Sequence, residues 1–121
     1  MAALFRKVHE KGRVVIGTPY FLHDEVPQGL VDFEGDLETE KAIFDLVKAN
    51  GCTVTFIGRR TRADWDRYIS WSTRRHLLAY RRESDPSAKQ KCLEWVHRWH
   101  DVYLDLRMAH EGWAIYAIER I

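Results

Sequence analysis

An α+β fold is what this 121-residue sequence predicts, and three observations carry it. Cys52, Val54 and Phe56 alternate with Thr53, Thr55 and Ile57, which is the period of a strand. Ile43, Leu46 and Val47 recur at helical spacing, and so do Cys92, Trp95, Val96, Trp99, Val102, Tyr103 and Leu106. From residue 30 onward the elements follow as strand, helix, strand, strand, helix, strand. That order is the split βαβ, or ferredoxin-like, arrangement: a four-stranded antiparallel sheet with two helices on one face.

The elements are justified in turn. Leu4, Phe5 and Val8 suit a short helical turn, and Val14-Val15-Ile16 a brief strand ended by Gly17 and Pro19. Asp24 to Gly29 is a loop, so residues 1–29 form an N-terminal extension that either adds an edge strand or covers the sheet. Leu30, Val31 and Phe33 predict a strand closed by Gly35. Asp36 then caps a helix whose first turn holds Glu38 and Glu40, where the helix dipole favours acids. Asn50-Gly51 stops that helix, because glycine accepts the left-handed conformation. After the strand at 52–57 comes an arginine-rich connection, and Ile69 to Tyr80 is rich enough in β-formers to predict the next strand. Asp85 caps a second helix with Pro86 at its first position. Gly112 breaks the stripe, and Trp113 to Ile118 makes the last strand. The whole is one domain, 1–121, with a ferredoxin-like core at 30–121.

Composition narrows the class. The chain is 45% hydrophobic and 31% charged, an ordinary globular balance and not that of a disordered segment. Cys52 and Cys92 show no paired spacing and are expected as reduced thiols in a cytoplasmic protein. No apolar run approaches the ~20 residues that span a bilayer, so no membrane partner is expected, and Met1 to Gly17 lacks a secretory pattern. The net charge of +1 hides a split. Residues 20–47 carry eight acids against Lys41, and residues 59–82 carry eight arginines against Asp64 and Asp66. Such a field bears on partners, not on fold.

No catalytic motif accompanies the split. His23-Asp24 lacks a third orienting group. Glu94 and His97 have the spacing of a carboxylate-bridged metal site but no second copy. His97, His100 and Asp101 fall short of four zinc ligands, and Gly12 and Gly17 are too sparse for a phosphate loop. Neither a metal nor another cofactor is therefore expected. Partner contacts are assigned to the acids Asp32, Glu34, Asp36, Glu38 and Glu40 and to Arg59, Arg60, Arg62, Trp65 and Arg67. Guanidinium beside aromatic rings suits unstacked RNA bases and phosphates, and equally a protein hot spot. Trp95, Trp99 and Trp113 are expected in the core.

The turn His110-Glu111-Gly112-Trp113, following a long helix with Trp95 and Trp99, resembles the family of the regulator of ribonuclease E activity B. Two departures are that His110-Glu111 replaces the family's Tyr-Asp and that its acidic tail is absent. The resemblance implies a ferredoxin-like protein that restrains a ribonuclease and has no catalytic residues. With the charge split, it gives the expectation of a non-enzymatic regulator or inhibitor, of the nuclease-inhibitor or toxin-immunity type. The alternative is a nucleic-acid-binding module using residues 59–82.

Overall fold

The computed structural model describes Phe5, Val8 and residues 12–121. The elements are β1 (Arg13–Phe21), α1 (Gln28–Glu34), α2 (Glu40–Ala49), β2 (Cys52–Arg59), α3 (Arg62–Arg82), α4 (Pro86–Val102), a π-helical turn (Tyr103–Arg107) and a last helical turn leading into β3 (Glu111–Arg120). The chain gathers into two compact units, Met1–Arg60 with His110–Ile121, and Thr61–Ala109.

The first unit holds the sheet. Its order is β1-β3-β2, and β3 runs antiparallel to both neighbours, so β1 and β2 point the same way. The register pairs Tyr20 with Gly112 and Ile16 with Tyr116 across β1 and β3, and Cys52 with Arg120 across β2 and β3. A bulge between Val54 and Phe56 interrupts the ladder of β2 with β3. One sheet face is closed by α2 together with Phe5 and Val8, and there Tyr20, Ile43, Val47, Cys52, Ala114, Tyr116 and Ile118 form the core. At the far end of β3, Arg120 donates to the carbonyls of Phe5, Val8 and Asn50. On the opposite face Val15 and Phe56 are exposed, and Trp113 and Ile115 are half-buried.

Helix α2 starts one turn later than its acids suggest. Thr39, not Asp36, is the cap, its hydroxyl accepting from the Ala42 amide at 3.2 Å. Gly51, with φ of 71°, carries the left-handed turn into β2.

The second unit is a pair of helices. Thr61 and Asp64 close a capping box at the start of α3, and Asp85 caps α4 with Pro86 in its first turn. The rings of Trp95 and Trp99 lie 6.3 Å apart, and Trp65 stacks on Tyr103 at 6.3 Å. In the π-helical turn, Tyr103 and Arg107 are both buried. The Tyr103 hydroxyl donates to Asp66 at 2.6 Å, and the Arg107 guanidinium sits 5.6 Å from the Trp65 ring and 5.9 Å from that of Trp99.

The ferredoxin-like sandwich is not formed. Three strands pair where four are expected, and two of the expected strands are helices. Leu30, Val31 and Phe33 lie on α1, where Leu30 alone is fully buried. Ile69 to Tyr80 lies inside α3, because the capping box and the hairpin packing override the β preference of its aromatic and branched residues. Trp95, expected in the core, is 44% exposed, Trp99 is half-buried, and Trp113 belongs to the other unit. The turn expected around Leu4 lies outside the described residues, apart from Phe5 and Val8.

Candidate functional site

In open α/β sheets, ligands bind outside the carboxyl ends of strands that point the same way. Here the carboxyl ends of β1 and β2 lie together, one on either side of the amino end of β3. Tyr20 closes β1, Arg59 closes β2, Glu40 opens α2, and Tyr116 reaches the same spot from the middle of β3.

These four side chains form one hydrogen-bonded cluster. Both guanidinium nitrogens of Arg59 lie 3.0 Å from the two Glu40 oxygens, a forked pairing that fixes orientation as well as charge. Arg59 also donates to the Tyr20 hydroxyl and stacks over that ring at 5.7 Å. The Tyr116 hydroxyl donates to Glu40. Burial alone would raise the Glu40 carboxyl, but the bonds from Arg59 and Tyr116 outweigh it and hold its pKa below the usual value. Burial pushes the Tyr116 phenol well above its ordinary value, and its bond to Glu40 adds to the shift. Tyr20 is raised for the same first reason, with the Glu40 charge assisting. At neutral pH the cluster is therefore a carboxylate, a guanidinium and two neutral phenols.

Glycine makes room for it. A Cβ on Gly112 would lie 2.5 Å from the Tyr20 ring, so only glycine lets that ring cross β3 toward Arg59. On the other sheet face, Trp113 lies across Gly17, whose added Cβ would be 2.9 Å from the indole. Successive residues of a strand face opposite ways, so the next arginine, Arg60, sits over Trp113 at 5.2 Å. Each face of this sheet end thus carries an aromatic ring under a guanidinium. His23 and His110 complete the edge, their rings 6.2 Å apart, with the Leu22 amide donating to the His110 carbonyl at 2.9 Å.

Among the residues assigned from sequence, Glu40 and Arg59 meet directly. Arg60 is beside them on the opposite face. Asp32 accepts from Gln28 on α1, Glu34 ends that helix, and Asp36 and Glu38 lie in the loop before α2, where the Glu38 carbonyl accepts from the Phe21 amide. Arg62, Trp65 and Arg67 belong to the second unit, with Arg67 3.7 Å from Asp64. Tyr20 and Tyr116 were missed. Both bond across many residues of sequence, and only the Gly112 opposite Tyr20 hinted at a close approach. Among the described residues no three His, Cys, Asp or Glu gather as metal ligands, and no helix is long and apolar enough to cross a membrane.

No family model matches the sequence, and no curated protein matches it. Solved structures do match in shape. An S-adenosylmethionine-dependent methyltransferase from Geobacter sulfurreducens, in complex with S-adenosyl-L-homocysteine, aligns with a TM-score of 0.74 at 17% identity, over 91% of this chain and 46% of that one. The YjhP protein of E. coli aligns at 0.74 and 18% identity, over 93% and 51%. A second S-adenosylmethionine-dependent methyltransferase, from Thiobacillus denitrificans and also with S-adenosyl-L-homocysteine, aligns at 0.73 and 15%, over 91% and 46%. The chain thus spans about half the length of these proteins and shares the fold of that half. The resemblance to the ribonuclease-regulator family does not hold, since the structural neighbours are of this other fold. With it fall the nuclease inhibitor, the immunity protein, the nucleic-acid-binding alternative and the expectation of no enzymatic role, against which the shared shape with methyltransferases stands.

Proposed function

We propose that this chain supplies the acceptor-side half of an S-adenosylmethionine-dependent methyltransferase, with its site at the carboxyl ends of β1 and β2. The observation that carries the reading is the coincidence of two findings. The shape matches methyltransferases over nine-tenths of the chain, and a charged, partly buried cluster in the sheet unit lies where such sheets bind ligands.

The methyl donor supplies an electrophilic carbon, and the protein has to place a nucleophile against it and exclude water. Trp113, against Gly17 and under the Arg60 guanidinium, is a half-buried aromatic surface at the end of the sheet, while the buried Tyr20, against Gly112, anchors Arg59 from within the core. Arg59 carries positive charge there, and its side chain is half-exposed even while paired with Glu40. His23 and His110 stand at the same end, and histidine is the side chain most often used to take a proton from an attacking group. These residues do not make a whole cofactor cradle. The acceptor oxygens of Glu40 are already engaged by Arg59 and Tyr116, and none of the seven glycines forms a Gly-x-Gly pair. They fit one wall of such a site.

The test is a titration of S-adenosyl-L-homocysteine into the isotopically labelled chain, followed by amide resonances. One wall binds weakly, and a dissociation constant of about 1 mM corresponds to roughly 4 kcal/mol. Shifts confined to residues 20–23, 39–40, 59–60 and 110–113 are expected. Saturating ligand that moves no resonance, or only those of α3 and α4, would refute the reading.

A further inference from the structure

Helix α3 has two unlike sides. Ile69 and Ser72 are buried on the side toward α4, where Tyr68 meets Trp99 edge-on at 5.9 Å and the Thr73 hydroxyl lies 2.8 Å from a ring nitrogen of His100. Residues seven apart on a helix lie almost on one line, about 10 Å from each other. On the far side of α3 three such lines run side by side. Trp71 and Leu78 make the middle one and are 57% and 48% exposed. Arg67, Arg74 and Arg81 flank it on one side, Arg75 and Arg82 on the other, and all five are exposed. The sequence from 67 to 82 holds no acid. Among the described residues Arg67 lies 3.7 Å from Asp64, and the other four arginines pair with no carboxylate. The Arg75 guanidinium sits instead over the Trp71 ring at 4.7 Å.

We infer that this side of α3 docks on the surface of an anionic lipid bilayer, with the Trp71–Leu78 ridge among the headgroups and the arginine rows on the phosphates to either side. No helix among the described residues is long and apolar enough to cross a bilayer, but a helix lying in the surface plane needs only an apolar ridge between cationic flanks. Three features select a bilayer over a macromolecule. Charge of one sign flanks the ridge on both sides over about 22 Å of helix, so its complement is a broad negative surface and not a single anion. The apolar part is two side chains, too little to centre a protein interface of about 800 Å² per partner, a second copy of this chain included. Arg75 already covers one face of the Trp71 ring, which hinders the stacking of an unpaired base but not the seating of an indole at headgroup level. Arginine stems are long enough to keep their guanidinium on phosphate while the indole goes deeper. The surface lies wholly within the helical unit and is independent of the methyl-transfer reading.

The experiment is flotation of the full 121-residue chain with lipid vesicles. Phosphatidylcholine vesicles with about one-third phosphatidylglycerol should carry the chain at about 0.05 M salt and release most of it at about 0.5 M. Phosphatidylcholine alone should carry little. Each arginine near an anionic surface is worth about fivefold in partition, so Arg67→Gln, Arg74→Gln and Arg81→Gln together should lower it by about 100-fold. Arg13→Gln, Lys41→Gln and Lys48→Gln remove the same charge from the sheet unit and should lower it by less than about threefold. Both triple variants change exposed side chains and should keep the urea midpoint of the parent. Trp71→Phe should keep the binding and lose most of the shift of tryptophan emission to shorter wavelength that vesicles cause in the parent. A shift that survives Trp71→Phe places another tryptophan at the surface and overturns the inference. So do equal losses from the two triple variants and equal binding to uncharged vesicles. Absence of binding to the anionic vesicles at low salt overturns it too, whether the chain is then retained on single-stranded RNA, associates with itself or does neither.

Discussion

Replacing Gly112 by alanine sets two effects of opposite sign against each other, and the structure decides between them. Inside a strand, alanine is ordinarily better than glycine by about 0.5–1 kcal/mol, because it has less chain entropy to lose. At Gly112, however, the new Cβ would meet two ring carbons and the hydroxyl oxygen of Tyr20 at 2.5, 2.6 and 2.5 Å. Tyr20 cannot swing aside cheaply: it is 3% exposed, and its hydroxyl is held by Arg59. Overpacking a tight site costs about 1–3 kcal/mol, so the net change should be a loss of about 1–2 kcal/mol. Urea unfolding of Gly112→Ala against the parent measures it. Gly58→Ala is the control, since its Cβ would meet the Phe56 ring at 3.0 Å, and that ring is exposed and free to yield. The double variant Tyr20→Leu, Gly112→Ala should recover most of the loss, because the two changes share one contact. A Gly112→Ala chain at least as stable as its parent would show that Tyr20 does not lie across β3, and the cluster would lose its anchor.

Two further outcomes follow from side-chain geometry. The Glu40 carboxyl has its pKa lowered in the folded chain, so its contribution is present above the usual carboxylate value of 4.5 and is lost as pH falls through the lowered one. The stability gap between the parent and Arg59→Met should therefore narrow below about pH 4, to what the contacts with Tyr20 contribute; the Glu40 part should stay under about 1 kcal/mol at neutral pH, because the Arg59 side chain is half-exposed. A gap as wide at pH 2.5 as at neutral pH counts against the pairing. Thr61→Ala removes the hydroxyl of the capping box and should cost about 1 kcal/mol of stability in the helical unit, seen by circular dichroism during urea unfolding, with no change in the S-adenosyl-L-homocysteine shifts.

What was legible in the sequence had a local cause. The alternation at Cys52 to Ile57, the apolar stripe of α2, the Asp85-Pro86 start of α4 and the aromatic run of β3 each name their element without help from the rest of the chain. What was not legible depended on distance. Helix α3 carries Ile69, Trp71, Thr73 and Leu77, and its composition argued for a strand; the Thr61–Asp64 capping box was the overlooked signal. Strand β1 was seen only as Val14 to Ile16, since Gly17 and Pro19 are ordinary strand breakers. At this position glycine makes way for the Trp113 ring, and proline turns its missing N–H to the open edge. The site was read as two separate patches of opposite charge. Glu40 and Arg59 are 19 residues apart, and nothing short of the sheet order shows that they touch.

The π-helical turn at Tyr103–Arg107 has a consequence for how this chain can vary in length. Such a turn holds one residue more than an α-helical turn would. That extra residue lets Tyr103 reach Asp66 while Arg107 still reaches Trp65 and Trp99. Leu104 within it is 62% exposed and touches none of these partners, so in side-chain terms it looks dispensable. In backbone terms it is not. Deleting it would restore α-helical winding without turning the helix that follows, but it would set Arg107 three residues from Tyr103 instead of four and shift its guanidinium away from the two indoles. Substitutions at Leu104 should therefore be freely accepted among descendants of this sequence, whereas single-residue deletions anywhere from 103 to 107 should not.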